Sequence, residues 1–396
     1  MKGLYRYLSP FAPDQSGAVS VFFEMSGLLV VLDAGGCTGN ICGFDESRWF
    51  TKKSAVYSAG LRDMDAIFGE DDKLIEKLSD AAESMQAEFL VLIGTPVPAV
   101  IATDFQAIAK IVSKRLGIST VYVPTLGMDT YEKGEEMAWE AAVSLSERMA
   151  EDRIDQDSEE TEGGIGVFGA LPLNMPPDED EEILRRRLSE KLSGGESVYL
   201  YGAGDGLSAL ADRRKRKENL AVSPAAIPIV RKLAEEEGVP YRIGYPVSEE
   251  KVQKIAGKIR SDHRASDGNA RVLIVHQQVF ASSLRSALEE ELPELRGRID
   301  AASFFRMDDE IIRPGDSFLD GENAFIKKVR SGNYFAVIGD PLLKRAVPTP
   351  GLNESSTEEI GINNKEESVK SSAEEPLLFI PAAHRAVSGD IFGTSV

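Results

Sequence analysis

The sequence predicts an α/β fold of three successive units, each a mainly parallel sheet flanked by helices. Three observations lead there. Short runs of β-favouring apolar residues alternate with helix-spaced segments along most of the chain. A strongly acidic, glycine-ended run at 150–164 (AEDRIDQDSEETEGG) interrupts the alternation, which then restarts. The 396 residues, 42% of them hydrophobic, suffice for two to three domains. Units are therefore expected at 1–155, 163–265 and 266–396, the last with a polar insertion at about 350–375.

In chain order, residues 8–17 are rich in Pro, Ser and Gly and read as an extended loop. Residues 18–25 (AVSVFFEM) read as the start of a helix or a short strand. The all-apolar run 28–32 (LLVVL) reads as a buried strand, and it leads into a glycine-rich turn holding the only two cysteines, Cys37 and Cys42. A helix is expected over 73–85, with Leu74, Ile75, Leu78, Ala81, Ala82 and Met85 on one side. A strand at 89–93 (FLVLI) ends in Gly94-Thr95-Pro96. Thr103 or Asp104 would cap a helix over 105–116. A strand at 119–123 and a helix over 134–149 follow, and then the acidic run, which reads as a solvated linker.

The second unit reads as strands at 164–171, 197–201 and 240–243, with helices over 179–192 and 224–237. The third opens with a strand at 271–276, a helix over 282–291 and a strand at 334–338. Residues 353–375 are polar and charged, and read as a surface insertion or disordered loop. From 377 the chain turns apolar again and is expected to dock back onto the fold.

The formal net charge of -20 argues against a nucleic-acid partner, which needs clustered Lys and Arg, and against an anionic membrane surface. The opening MKGLYRYLSPFAPD has no apolar core of a signal peptide, and no run is long enough to span a bilayer. A cytoplasmic location is expected, where structural disulfides are rare. Cys37 and Cys42 then read as reduced thiols or metal ligands.

The turn after 28–32 lies at the carboxyl end of a strand, where α/β sheets bind ligands. Gly35, Gly36, Gly39 and Gly43 let its backbone bend tightly and approach a ligand. Thiolates there suit zinc or iron–sulfur chemistry. Two do not complete a four-ligand site, but two copies across a symmetric dimer would. The alternatives are a pair of small buried hydrophobes, or a redox pair without the C-x-x-C spacing.

Other stretches read more plainly. Gly202-Ala203-Gly204-Asp205-Gly206 falls short of G-x-G-x-x-G and reads as a tight turn, and no G-x-x-x-x-G-K-S/T occurs anywhere. The basic run Arg213-Arg214-Lys215-Arg216-Lys217 reads as a solvated helix face. His263, His276 and His384 form no spaced metal motif, and His276 ends a strand. The loop from Gly94 to Pro98 leads to a helix start and offers backbone N–H groups to an anion or cluster.

The stretch SPFAPDQSGAVSVFFEMSGLLVVLDAGGCTGNICGFDESRW resembles the N-terminal part of the nitrogenase component 1 superfamily, most of all its short, uncharacterised members. GTPVPAVIATDFQAIAK, NLAVSPAAIPIVRKLAEEEGVPY, RVLIVHQQVF and FAVIGDP are similar to later segments of the same family. The resemblance implies three Rossmann-like domains, paired subunits with an interfacial metallocluster, and electrons delivered by a separate ATP-hydrolysing iron protein. Cys37 matches the family's cluster cysteine in the glycine turn. Val19 stands where an earlier cysteine would fall, and the loop around Thr95 lacks a third. An eight-iron cluster is therefore not expected. The resemblance instead implies a 4Fe–4S cluster bridging two subunits, a homodimer or a heterodimer with a related chain, with Cys37 and Cys42 from each as ligands. Gly35, Gly36, Thr38, Gly39, Asn40, Gly43 and Thr95 would line it, and Asp33 and Asp45 would join Thr38 and Asn40 in hydrogen bonds around it. No cysteine–histidine pair matches the family's active-site cofactor, so dinitrogen reduction is not expected. The implied function is an oxidoreductase component passing electrons to an unknown substrate. A non-catalytic scaffold or carrier for a metallocluster or tetrapyrrole is the alternative.

Overall fold

The computed structural model describes residues 6–62, 71–97, 104–151, 163–191, 196–347 and 376–388. The acidic run at 152–162 and the insertion at 348–375 lie outside them, as do residues 98–103.

The first sheet contains β1 (Leu28–Val31), β2 (Ala55–Ser58), β3 (Phe89–Ile93) and β4 (Ser119–Val123), all parallel, in the order β2-β1-β3-β4. Its helices are α1 (Asp14–Phe22), α2 (Gly36–Asn40), α3 (Asp71–Met85), α4 (Phe105–Leu116) and α5 (Tyr131–Glu151). The central strands β1 and β3 are apolar throughout because both of their faces are covered. Leu29, Val31, Val91 and Ile93 pack with Phe22 of α1 and Trp139 of α5. Leu28, Val30, Leu90 and Leu92 pack with Leu78 of α3 and Val112 of α4.

The second sheet repeats the order, as β6-β5-β7-β8, with β5 (Ile165–Phe168), β6 (Val198–Leu200), β7 (Glu218–Ala221) and β8 (Tyr241–Ile243). Helices α6 (Glu181–Lys191), α7 (Leu207–Ala211), α8 (Ile227–Glu237) and α9 (Glu249–Arg260) connect and cover it. The third sheet is β11-β10-β9-β12-β13, from β9 (Arg271–Val275), β10 (Ile299–Ser303), β11 (Ser317–Phe318), β12 (Tyr334–Gly339) and β13 (Leu378–Pro381). Its helices are α10 (Gln278–Glu291), α11 (Glu322–Ser331) and α12 (Arg385–Ser388). As expected, the apolar stretch after 377 docks back, as β13 beside β12.

Several elements differ from the expectation. Residues 14–17 are helix, not loop. The buried Asp14 carboxylate accepts hydrogen bonds from Gln15 N (2.9 Å), Leu126 N (2.9 Å) and Gly127 N (2.6 Å). Packing against α5 then overrides the Gly and Ser content of α1. Contact is close because both helices carry a glycine there. A Cβ on Gly17 would lie 1.9 Å from the Tyr131 carbonyl oxygen, and one on Gly134 would lie 1.7 Å from that of Asp14.

The basic run is not a solvated helix face. Arg213–Lys215 form a 3-10 turn, with Arg213 and Arg216 buried. The 202–206 turn is tight, as expected: Tyr201 and Asp205 form a bridge, and Gly202 adopts φ +70°.

Candidate functional site

In the order β2-β1-β3-β4 the chain leaves β1 in one direction and returns to its other side as β3. The carboxyl ends of β1 and β3 are therefore a topological switch point, where a crevice opens. The cysteine turn follows β1 and the Thr95 loop follows β3, so both expected segments meet there. Thr95 is fully buried, and its hydroxyl donates to the Leu32 carbonyl at 2.8 Å, tying the two loops together.

Asp33 organises the turn. Its buried carboxylate accepts from Thr38 N (2.8 Å), Thr38 Oγ1 (3.0 Å) and Ser58 Oγ (2.6 Å). Gly35 takes φ +112°, which an L side chain rarely adopts, and starts α2. Cys37 sits on α2. Cys42 sits on the single π-helical turn Ile41–Asp45, an irregularity frequent at functional sites. Asp45 fastens this turn by accepting from Ser16 Oγ (2.6 Å) and Asn40 Nδ2 (3.0 Å).

Both cysteines are free thiols. Cys37 is half-buried, whereas Cys42 is 9% exposed and packs into the main core. Burial, and then the Asp33 carboxylate, push the Cys37 thiol up, with a Thr95 hydrogen bond opposing them. Burial, Glu46 and Asp33 push Cys42 up to about 11. Both thiols are thus protonated near neutral pH, and a metal would have to displace their protons to bind there. Gly36, Gly39 and Gly43 present open space: a Cβ on any of them would meet no atom within 4 Å. Phe44 and Phe50, beside the turn, are 66% and 55% exposed.

Among the described residues, no group of three or more His, Cys, Asp and Glu side chains is arranged to hold a metal ion. Two thiols on one open-sided turn fit half of a four-thiolate site. They do not fit a complete one within a single chain.

Two buried polar clusters carry no local sequence motif of their own. Arg48, after the cysteine turn, donates to Glu46 Oε1 (2.8 Å) and Oε2 (2.7 Å), Glu24 Oε1 (3.0 Å), the Ser20 carbonyl (2.7 Å) and the Gly202 carbonyl (2.7 Å). Its place in E-x-R-W was the only available signal. On α5, Glu132 accepts from Arg306 N (3.0 Å), and Glu135 accepts from Asn174 Nδ2 (2.9 Å). Burial pushes Glu132 up to about 8 and Glu135 well above the carboxylate range. These two carboxylates, three apart, share a face otherwise made of Tyr131, Ala138, Trp139 and Ala142.

The structure also brings together two of the three histidines. His276 and His384 stack with centroids 4.1 Å apart. The first donates from Nε2 to the Ala383 carbonyl (3.3 Å) and the second to that of Leu173 (3.0 Å). Burial holds His276 well below the imidazole range and pushes His384 down to about 3. They are neutral packing groups joining the second and third units. No helix among the described residues is long and apolar enough to cross a membrane.

The solved structures of nitrogenase Cp1 resemble this architecture. The form at pH 6.5 is 10% identical over 87% of this chain and 84% of that one, with a TM-score of 0.56. The form at pH 5 is 15% identical over 84% and 72%, with a TM-score of 0.51. At such identities the likeness shows the fold. No curated protein matches the sequence. The family model described as "Nitrogenase component 1 type Oxidoreductase" matches residues 14–261, more than half of the sequence and inclusive of the cysteine turn. The chain belongs to the nitrogenase component 1 type oxidoreductase family.

Proposed function

We propose that this protein is a nitrogenase-like oxidoreductase component in which two subunits share one iron–sulfur cluster, of 4Fe–4S type. The observation that carries the reading is the cysteine turn itself. It offers two thiols at the switch point of the first sheet, on a loop whose glycine side is open. Cys37 and Cys42 would supply half the ligands, and the same turn of a second subunit the rest. Gly35, Gly36, Gly39 and Gly43 would let the backbone lie close to the cluster. Asp33 holds Thr38, Asp45 holds Asn40, and Thr95 ties its loop to the Leu32 carbonyl, so the turn would keep its shape when the thiols lose their protons. The exposed Phe44 and Phe50 suit burial against the second subunit. When bound, the cluster supplies one-electron storage and transfer. An ATP-hydrolysing iron protein would be the donor, in keeping with the lack of a P-loop motif in this sequence. The cytoplasm is the compartment proposed, and the units at 1–155, 163–265 and 266–396 would fold as its domains.

Anaerobic reconstitution with iron and sulfide tests the reading. A brown protein with one cluster per dimer is expected, and Cys37→Ala or Cys42→Ala should lose both colour and iron. Protein that stays colourless and iron-free would sink the proposal, and variants that keep full cluster content would remove these residues as ligands. Reduction by an iron protein and ATP, with turnover only when a small molecule is added, distinguishes an enzyme from a scaffold.

A further inference from the structure

Four members of the basic run have carboxylate partners. Arg213 pairs with Glu147 and Glu237, Arg214 with Glu237, Lys215 with Asp212, and Lys217 with Glu196. Arg216 does not. It is 4% exposed, and none of its three guanidinium nitrogens has a hydrogen-bond partner among the described residues. Its guanidinium lies 3.5 Å from the centroid of the Tyr199 ring. That cation–π contact recovers only part of what a guanidinium loses on leaving water.

The surroundings are as unsatisfied as the charge. Gly166 on β5 sits opposite both Tyr199 and Asn219, so these residues share one face of the second sheet. Tyr201 and Asn219 are fully buried, and among the described residues the Tyr201 hydroxyl and both amide atoms of Asn219 have no well-formed hydrogen bond. They converge, since a Cβ on Gly166 would lie 2.7 Å from both Asn219 Oδ1 and the Tyr201 hydroxyl. The Tyr201 hydroxyl also faces the Arg216 guanidinium, whose charge and a loose hydrogen-bonding contact short of good geometry oppose the effect of burial on it. The same face packs against α5 through Phe168 and Trp139. The cluster therefore holds the three guanidinium nitrogens, one hydroxyl and one amide NH₂ as donors. Its single dedicated acceptor is the Asn219 carbonyl oxygen. Water would satisfy the donors but leave the charge.

We propose that Arg216, Tyr201 and Asn219 form a buried binding site for a small monovalent inorganic anion of the chloride class, between the second sheet and α5. The anion takes hydrogen bonds from the guanidinium, the phenol and the amide, and neutralises the one arginine of the run that no carboxylate serves.

Thermal unfolding of the full chain in potassium chloride, bromide or gluconate, at one ionic strength so that screening is constant, tests this. The melting temperature is expected to rise saturably by a few degrees in either halide. In Arg216→Met the halide response should vanish, while stability in gluconate equals or exceeds that of the parent. Crystals grown in bromide should show an anomalous peak beside Arg216. Equal melting temperatures in halide and gluconate, or ordered water in place of bromide, would overturn the proposal. Should Arg216→Met fail to fold, Tyr201→Phe carries the test. Loss of one donor should raise the halide concentration at half-effect several-fold, and an unchanged value would overturn the site.

Discussion

Replacing Arg48 with methionine should be among the most damaging single changes outside the apolar core. Burial alone would lower the pKa of this guanidinium, but Glu46 and Glu24 outweigh it and hold Arg48 charged. The side chain spans three parts of the protein: Glu46 at the end of the cysteine turn, Ser20 on α1, and the Gly202 carbonyl in the second unit. Methionine fills much of the space but donates nothing. Glu46, only 2% exposed, is left as a buried carboxylate without its bidentate partner, and two buried carbonyls lose their donors. Breaking a buried pair from one side costs about 3–5 kcal/mol. The carbonyls act in the same network, so their losses overlap with that figure instead of adding to it. Glu24 keeps Lys52 at 2.9 Å and contributes less. We expect Arg48→Met to lower the unfolding free energy by about 3–5 kcal/mol in urea, with little change in the denaturant slope. Arg48→Met with Glu46→Leu should recover part of the loss, because an apolar pair replaces the stranded charge. A cost below about 1 kcal/mol for the single variant would refute the reasoning, since it would place the ion pair in water.

Two further outcomes follow from the buried titratable groups. Unfolded histidine takes up a proton near pH 6.5, whereas folded His384 does so only near about 3 and His276 also far below its usual range. Their contribution is full above pH 6.5 and falls as pH drops through that window, by about 1.4 kcal/mol per pH unit per group. Glu132 acts in the opposite sense: raised to about 8 from 4.5, it contributes fully below pH 4.5 and progressively less as pH climbs to 8. Glu135, raised in the same sense, joins Glu132, so the two glutamates offset the two histidines between about pH 4.5 and 6.5 and urea midpoints should be highest there, and Glu132→Gln should flatten the alkaline limb; a parent maximum above pH 8 would contradict both assignments. For the iron-free thiols, iodoacetamide labelling followed by mass spectrometry should modify Cys37 before the more buried Cys42. The Cys42 rate should still climb at pH 9, since its pKa is pushed up to about 11, and a plateau below pH 9 would be inconsistent with that environment.

The strands were legible wherever both faces are buried, because a parallel strand covered on each side reads as an unbroken apolar run. β1, β3 and β9 are examples. β2 (AVYS) and β10 (IDAAS) escaped for the converse reason. β2 borders only β1 and is half-exposed, while β10 carries Asp300, whose charge Arg271 pairs with. α1 was hidden because its sequence, DQSGAVSVF, suits a loop by composition and becomes a helix through burial against α5. The cysteine turn was legible as a site because the strand before it and the glycines within it are local signals. Arg48 and the Glu132–Glu135 pair were not, since what makes them notable is burial by elements distant in the chain. The stacked histidines are 108 positions apart, and only the pairing of β12 with β13 brings His384 to the end of β9.

The four glycines of the cysteine turn are not alike. Gly35 is explained within the chain, because φ +112° excludes other residues at little cost only when the side chain is hydrogen. Gly36, Gly39 and Gly43 are not. They lie in helical turns, where each glycine costs roughly 1 kcal/mol relative to alanine. A methyl group at any of the three would meet no atom of the described residues within 4 Å. By the chain's own stability, then, alanine is the better residue at all three, and the turn forgoes on the order of 3 kcal/mol by lacking it. That cost is intelligible if the open side is covered by something that comes too close for a methyl group. A metallocluster held against the backbone, with a second subunit closing over it, meets that requirement. Such a cluster would also account for the two free thiols of the chain lying among these glycines.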